Sequence, residues 1–479
     1  MATTIEQKPN LLCGVNSPMI FILKEDTPAT YNGFKFRYVL KVEVNGTEIA
    51  VLKIHKNQQN VGVFDISHLV KSYVDTQLVN QNSTSKSIHS LGIVQTSDPF
   101  SLNSNQCAKV EVKAFYEKST SAETSPEMSG QQAVTSTFII PATTPFTKTA
   151  SNVGGLDVNG TNMPLQFFMN STAAEDSCSF FTNAPTVQFV RGSSTSADNL
   201  DQLTLCLKQG GTSEATSLIN QGVGIAYIYI EYFDSTGTEI NSGTDKRFAN
   251  TSSNGGSTIV ATTVEQSILY VGVGTKNLET QTLDSDAKPS NNSNWAYYRV
   301  YGTQSINKAD RCTKYYYFYR YGASRTGIDD RHQSCTRYDN IRLAWRNRLG
   351  AWDYMNFRGK STKTLSIKSS EMESVPGNWD SATEDTFSYN NWDRGKKTLF
   401  KTATRKIQIN SDWLNEEEAV WLEELFTSDN VQILDDDYTI IYPVVLTEKS
   451  YTTKTSVNDG IKMQYTINLE YANKVKTNN

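Results

Sequence analysis

The feature that most constrains the fold is the texture of the apolar residues. They fall in short runs, alternating or aromatic, and each run is cut by Gly, Asn, Ser or Thr. In the last such run Met463, Tyr465, Ile467, Leu469 and Tyr471 alternate with polar residues. A period of two places one set of side chains on one face of a strand, so 463–471 predicts a half-buried strand. Residues 224–233 are apolar, aromatic and partly β-branched, which fits a strand buried on both faces. Asn45-Gly46 stands between 42–43 and 48–54 and supplies the two positive-φ positions of a tight hairpin turn. By the same reading 34–40, 108–116, 134–140, 268–273, 295–301, 398–409, 431–434 and 439–446 are strands. Segments 341–345 and 352–357 form a strand pair around a turn at 346–350.

Helical spacing is rare. Leu69, Val70, Tyr73 and Val74 follow a capping Asp or Ser and predict one short helix over 65–74. A longer helix is predicted over 416–427, capped by Asn415, with Glu416, Glu417 and Glu418 in its first turn. Ala419, Leu422, Leu425 and Phe426 line one of its faces. The expected class is therefore mainly β, with several sandwich-like domains in series and a few short helices.

A chain of 479 residues is long enough for about three domains. Three are expected: 1–145, 146–305 with long polar loops, and 306–479 with the one longer helix. The Ser/Thr/Pro-rich stretch 141–155 reads as a linker between the first two. Loops 250–256 and 286–294 are polar enough to offer contacts to neighbours.

A net charge of −5 gives no broad attraction to nucleic acid, although basic residues outnumber acidic ones over 299–348. The longest apolar stretches, such as 440–446, fall far short of the ~18 residues of a membrane span. Gly14, Asn16 and Pro18 break the apolar residues near the N-terminus, so no signal peptide is read there. Cys13, Cys107, Cys178, Cys206, Cys312 and Cys335 are scattered without a CxxC pair, which predicts reduced thiols and no zinc site.

Catalytic signatures do not emerge. There is no GxSxG elbow, and the only histidines are His55, His68, His89 and His332. No phosphate-binding glycine loop occurs, since Gly222-Val-Gly224 and Gly272-Val-Gly274 sit in strand-like surroundings. Asp435-Asp436-Asp437 lacks the spacing of a calcium loop and reads as a solvated turn. No catalytic residue, metal or cofactor is expected.

The most unusual stretch is 315–321, aromatic on both faces. Tyr315, Tyr317, Tyr319, Arg320 and Tyr321, with Arg346 and Arg348, are the candidate interaction surface. Exposed aromatics stack on sugars or form interface hot spots, and arginines add bidentate contacts to anions. Packing of these rings into a sheet core is the favoured alternative.

The segment 337–357, RYDNIRLAWRNRLGAWDYMNF, resembles a family of virion structural proteins of tailed, chiefly marine, bacteriophages. VGVFDISHLVKSYV (61–74), LNEEEAVWLEELFTSDNVQIL (414–434) and VVLTEKSYTTKTSVNDGIKMQYTINLEYA (444–472) match the same pattern in order. The resemblance is weakest over 156–290. It implies a non-enzymatic particle component of the tail, baseplate or neck, made in the bacterial cytoplasm. The partners it implies are copies of itself and other virion proteins, with neither nucleic acid nor membrane. The closing helix and strands also resemble parts of tail-tube and distal-tail proteins, in pattern alone. Two alternatives stay open: a receptor-binding module for a host-surface glycan, and a tail-associated glycan hydrolase whose carboxylates the sequence does not locate.

Overall fold

The computed structural model describes residues 3–9, 12–75, 100–102, 107–143, 156–157, 180–192, 204–208, 225, 227–243, 246–249, 268–280, 284–303, 305–322, 337–380, 385–392, 395–434, 441–448, 463–473 and 475–477. The fold is mainly β, with several multi-stranded sheets and a few short helices. The chain divides into two compact units, residues 1–334 with 346–354, and 335–345 with 355–479.

The first unit opens with a sandwich. One sheet runs in the order Leu156–Asp157, Thr4–Pro9, Ile20–Lys24, Val61–Asp65. The other runs Leu12–Gly14, Ala133–Ile140, Ala108–Ser119, Phe34–Val44, Thr47–Ile54. Register explains the core between them. Leu40 faces Ala114, Val42 faces Val112 and Val44 faces Val110, so one face of the second sheet is apolar throughout. It packs on Phe21, Leu23 and Phe64 of the first sheet in one buried cluster. The Asn45-Gly46 turn forms as the sequence predicts, with φ of 48° and 82°.

Tyr38 shows how tightly this core is specified. It is fully buried, yet its hydroxyl accepts a bond from the Glu25 amide at 3.0 Å and donates to the Asn60 carbonyl at 2.5 Å. Its ring lies against Gly62, where an added Cβ would come within 2.7 Å of a ring carbon. Only glycine fits there. The predicted short helix is real but split, an α-turn at Ser67–Val70 and a 3-10 turn at Lys71–Tyr73. Its N-cap position is Ile66, which has no side-chain cap; Asp65 just before it holds the entry to the helix, its carboxylate accepting from the amides of Ser67 and Met19 at 3.0 and 3.1 Å. Val70 and Val74 then enter the sandwich core.

A third sheet follows the order Val187–Val190, Tyr316–Arg320, Tyr297–Thr303, Tyr227–Phe233, Arg247–Ala249. A fourth pairs Thr204–Lys208, Ile268–Gly272 and Phe100–Leu102. These pairings run across the boundaries expected from sequence. Phe100–Leu102 joins Ile268–Gly272 across 145/146, and Tyr316–Arg320 joins Tyr297–Thr303 across 305/306. Strand pairing between segments distant in sequence leaves no mark in local composition, which is why those boundaries do not match the compact units. Of the stretch read as a linker, 144–155 lies outside the described residues, as does the loop 250–256. The loop 286–294 is built from two 3-10 turns and tucked in, with Ala287, Pro289 and Asn292 buried. The Tyr232 hydroxyl donates to its Ala287 carbonyl at 2.7 Å.

The second unit is organised by a sheet in the order Trp352–Phe357, Ile341–Arg346, Val431–Leu434, Ile441–Leu446, Thr466–Tyr471, Lys396–Asn410, Thr362–Glu373. Val475–Thr477 adds to Lys396–Asn410. Residues 346–354, the turn of the first hairpin with the strand ends that flank it, belong to the first unit. The helix Glu416–Thr427 has the predicted bounds. Its cap is reciprocal: the Glu418 amide donates to Asn415 Oδ1 at 2.8 Å and the Asn415 amide to Glu418 Oε2 at 2.7 Å. Register puts Trp345, Val431, Val444, Tyr471, Leu469 and Ile407 on one face. Trp421 of the helix rests on Trp345, so the helix covers that face, with Ala419, Leu422 and Leu425 fully buried. The terminal strand is shorter than the alternation suggests, Thr466–Tyr471, with Met463 in an isolated bridge to Leu414. Residues 435–440, including the Asp run, lie outside the described residues.

Candidate interaction surfaces

Two surfaces merit consideration, one in each unit. The first is the face of the third sheet that carries the sequence-predicted tyrosines. Alternation along Tyr316–Arg320 separates its aromatic residues cleanly. Tyr316 and Phe318 are buried, Tyr316 against Phe180 at 5.3 Å between ring centroids and Phe318 against Tyr298 at 5.1 Å. Arg320 shares that buried face, its guanidinium 5.1 Å from the centroid of Trp295. It is thus held beneath the sheet, away from the tyrosines it neighbours in sequence.

Tyr315, Tyr317 and Tyr319 lie on the opposite face and are half-buried. Their rings form a row, 6.2 Å and 6.4 Å between successive centroids, leaning on Tyr297 at 4.9 Å from Tyr319. Phe189 of the adjoining strand touches both Tyr319 and Tyr321, at 5.9 and 5.8 Å. Arg299 lies over Tyr315 at 4.3 Å and Arg311 over the same ring at 4.4 Å. At the centre of this face Glu231 is buried. It accepts from Arg299 at 2.6 Å and from the Tyr301 hydroxyl at 2.8 Å, and pairs with Lys308 at 3.0 Å. Burial pushes the Glu231 carboxyl up, but the Arg299 charge and the bonds from Arg299, Lys308 and Tyr301 outweigh it and hold it below the usual range. The tyrosines are therefore mutually packed, with their outer edges in water.

Arg346 and Arg348 are placed elsewhere in the first unit. Arg346 forms a 2.7 Å ion pair with Asp75. Arg348 is exposed in the hairpin turn, where its carbonyl accepts from the Thr143 amide at 2.7 Å. That turn is anchored by buried Asn347, which donates to the Phe181 carbonyl at 2.8 Å and accepts from the amides of Leu349 and Ala351. Of the histidines, His55 and His68 are exposed, and His89 and His332 lie outside the described residues. Among the described residues no group of three or more His, Cys, Asp or Glu is placed to hold a metal ion.

The second surface is in the second unit, and sequence reading misses it. Thr362–Glu373 pairs with Lys396–Asn410 over its whole length, making a long ribbon. Thr466–Tyr471 and Val475–Thr477 pair with the other edge of Lys396–Asn410 at 406–410 and 401–403, and beyond them the ribbon is two-stranded. Beyond it a smaller pair, Asn378–Asp380 with Thr386–Ser388, forms the tip. Ile407 and Ile409 at the base are buried, while the rest of the ribbon faces water. It nevertheless carries Leu365, Ile367 and Met372 on one strand and Leu399 and Phe400 on the other. Val375, Trp379, Phe387, Tyr389 and Trp392 surround the tip. Each of these ten side chains is between 42% and 77% exposed. Register sets Leu365 and Ile367 on one face of the ribbon and Phe400 and Met372 on the other, so both faces offer apolar side chains, and large apolar groups left in water in such number mark contact surfaces. The ribbon strands are also basic, with seven Lys or Arg against Glu371 and Glu373. In the sequence only 398–409 reads as a strand here. Its partner has two large apolar residues at alternate positions, Leu365 and Ile367, too few to register as a half-buried face. A readable signal was the density of Trp, Tyr and Phe between 379 and 392, in a stretch otherwise made of turn residues.

Comparison with protein-family models and with curated proteins finds no match to this chain.

Proposed function

We propose that this protein is a structural component of a tailed-phage virion and acts by its position in a multi-copy assembly, in the tail, baseplate or neck. The observation that carries the reading is the ribbon of the second unit. Its exposed aromatic and aliphatic side chains have a free-energy cost in water that contact with a neighbour removes, at roughly 25 cal/mol per Å2 of apolar surface covered. The resemblance of four ordered segments to phage virion proteins supports the same reading. Mass spectrometry of purified particles tests it, together with limited proteolysis of the ribbon in the particle and in the free chain. The protein should be present, and cleavage within 362–410 should be suppressed in the particle. Absence from the particle would overturn the proposal.

The half-exposed tyrosine row favours one second reading, a receptor-binding module that stacks host glycan on Tyr315, Tyr317 and Tyr319. Glycan binding that is lost in Tyr317→Ala would support it.

A further inference from the structure

Building on the assembly reading, we propose that the ribbon tip of one copy docks into a basic groove at the ribbon base of a second copy, giving a head-to-tail contact between identical chains. The groove has a volume of about 720 Å3 and opens on the sheet of the second unit. Register places Ile433, Tyr442, Tyr471 and Arg405 on one face of that sheet, the face the helix covers further along. Lys363, Arg405 and Lys406 line the groove; Lys363 lies 3.7 Å from Asp339 and Lys406 lies 3.6 Å from Glu470, so the excess positive charge is that of Arg405. Its character is therefore apolar and aromatic with an excess of positive charge.

The tip is complementary in both respects. Trp379 pairs across its small hairpin with Phe387, and both are exposed, as are Trp392 and Asp385. Between the two ribbon strands, residues 374–395 carry four Asp or Glu against one Arg in the sequence. An aromatic tip that carries exposed Asp385, within a segment acidic in sequence, is thus complementary to an aromatic groove with positive charge. A volume of this size suits a few large side chains.

Geometry and charge favour a second copy as occupant. The groove lies beside Leu365, and the paired strand continues to Glu373 before the tip begins. At about 3.3 Å per residue this separates tip from groove by roughly 25 Å of continuous ribbon, so a chain does not fill its own groove without bending the ribbon back. Side-by-side pairing of two ribbons is disfavoured, because each carries seven positive groups against two negative ones along its strands. A tip-to-groove contact is heterologous, and such contacts close into rings or continue as open chains.

The test uses the full chain and sedimentation velocity. Wild-type protein should form species larger than the monomer, fewer at high salt. A tip variant, Trp379→Ala with Trp392→Ala, and a groove variant, Arg405→Glu with Tyr442→Ala, should each be monomeric with unchanged melting. Their equimolar mixture should give a dimer and nothing larger, because only one intact tip can meet one intact groove. A photoreactive phenylalanine at position 392 gives a readout independent of the alanine variants. Its crosslinks should fall in a second chain on residues 363–365, 405–406 or 442–443. A monomeric wild type, a variant that assembles like wild type, a mixture that stays monomeric, or crosslinks that map elsewhere would each overturn the docking. If wild-type protein is monomeric yet present in particles, the docking fails and the virion reading stands. Absence from particles removes that reading, and the sedimentation result then judges the docking by itself.

Discussion

Trp421 on the helix Glu416–Thr427 rests against Trp345 on the strand Ile341–Arg346, with 4.9 Å between ring centroids and an interplanar angle of 47°. Trp345 is fully buried and Trp421 is 6% exposed, so this contact sets the helix on its sheet. Trp421→Ala should destabilise the second unit by about 3–5 kcal/mol, through lost burial and the cavity left behind. Denaturant unfolding followed by near-ultraviolet dichroism checks this. A loss below about 1 kcal/mol would mean that the helix is held by other contacts.

The reciprocal cap on the same helix should make a smaller contribution. Asn415→Ala removes the acceptor for the Glu418 amide and is expected to cost about 1 kcal/mol. Asn415→Ser should recover most of it. Equal losses for alanine and serine would show that the cap is not what fixes the helix start.

Glu231 links stability to pH in the first unit. Its carboxyl lies below the ordinary value of 4.5, because Arg299, Lys308 and Tyr301 outweigh the effect of burial. A carboxyl depressed on folding stabilises the folded state above its unfolded-state value, and that contribution fades as pH falls through the folded one. Wild-type protein should therefore lose stability below about pH 4.5 partly through this group. Glu231→Gln should lower stability near neutral pH by about 3 kcal/mol, since it leaves Arg299 and Lys308 without their counter-charge. Its stability should also vary less with acid than that of wild type. Thermal melts of both proteins from pH 7 to pH 3 decide the matter, and parallel curves would exclude Glu231 as a source of the acid sensitivity.

Removal of residues 460–479 should be severely disruptive although they lie at one end of the chain. Thr466–Tyr471 is an interior strand, paired on one side with Ile441–Leu446 and on the other with Lys396–Asn410. Ile467 and Leu469 are fully buried. Without them the sheet splits between those two neighbours and exposes two unpaired edges. Insoluble or poorly folded protein is expected on expression. A soluble truncated chain that melts like the full one would refute the interior position of this strand.

Local patterns in the sequence determined the elements whose signal is carried by neighbouring residues. The Asn45-Gly46 turn, the capped helix Glu416–Thr427 and the alternation leading to Tyr471 are of this kind, because turn geometry, capping and strand period each act within a few residues. The mainly β class follows from them. Tertiary structure alone decided which segments pair and which faces meet water. Phe100–Leu102 joins a strand more than a hundred residues later, and Tyr316–Arg320 pairs across the boundary expected at 305/306. The row Tyr315, Tyr317, Tyr319 reads the same in sequence whether its outer face is covered or not. Arg320, adjacent to it in sequence, is turned to the buried side by strand alternation. The apolar ribbon is the clearest case. Leu365, Ile367 and Phe400 have the side chains of core residues, yet the paired strands that carry them run beyond the sheet core and leave them in water. Hydrophobicity fixes the free-energy cost of exposure, but only the arrangement of distant strands fixes whether a residue is exposed.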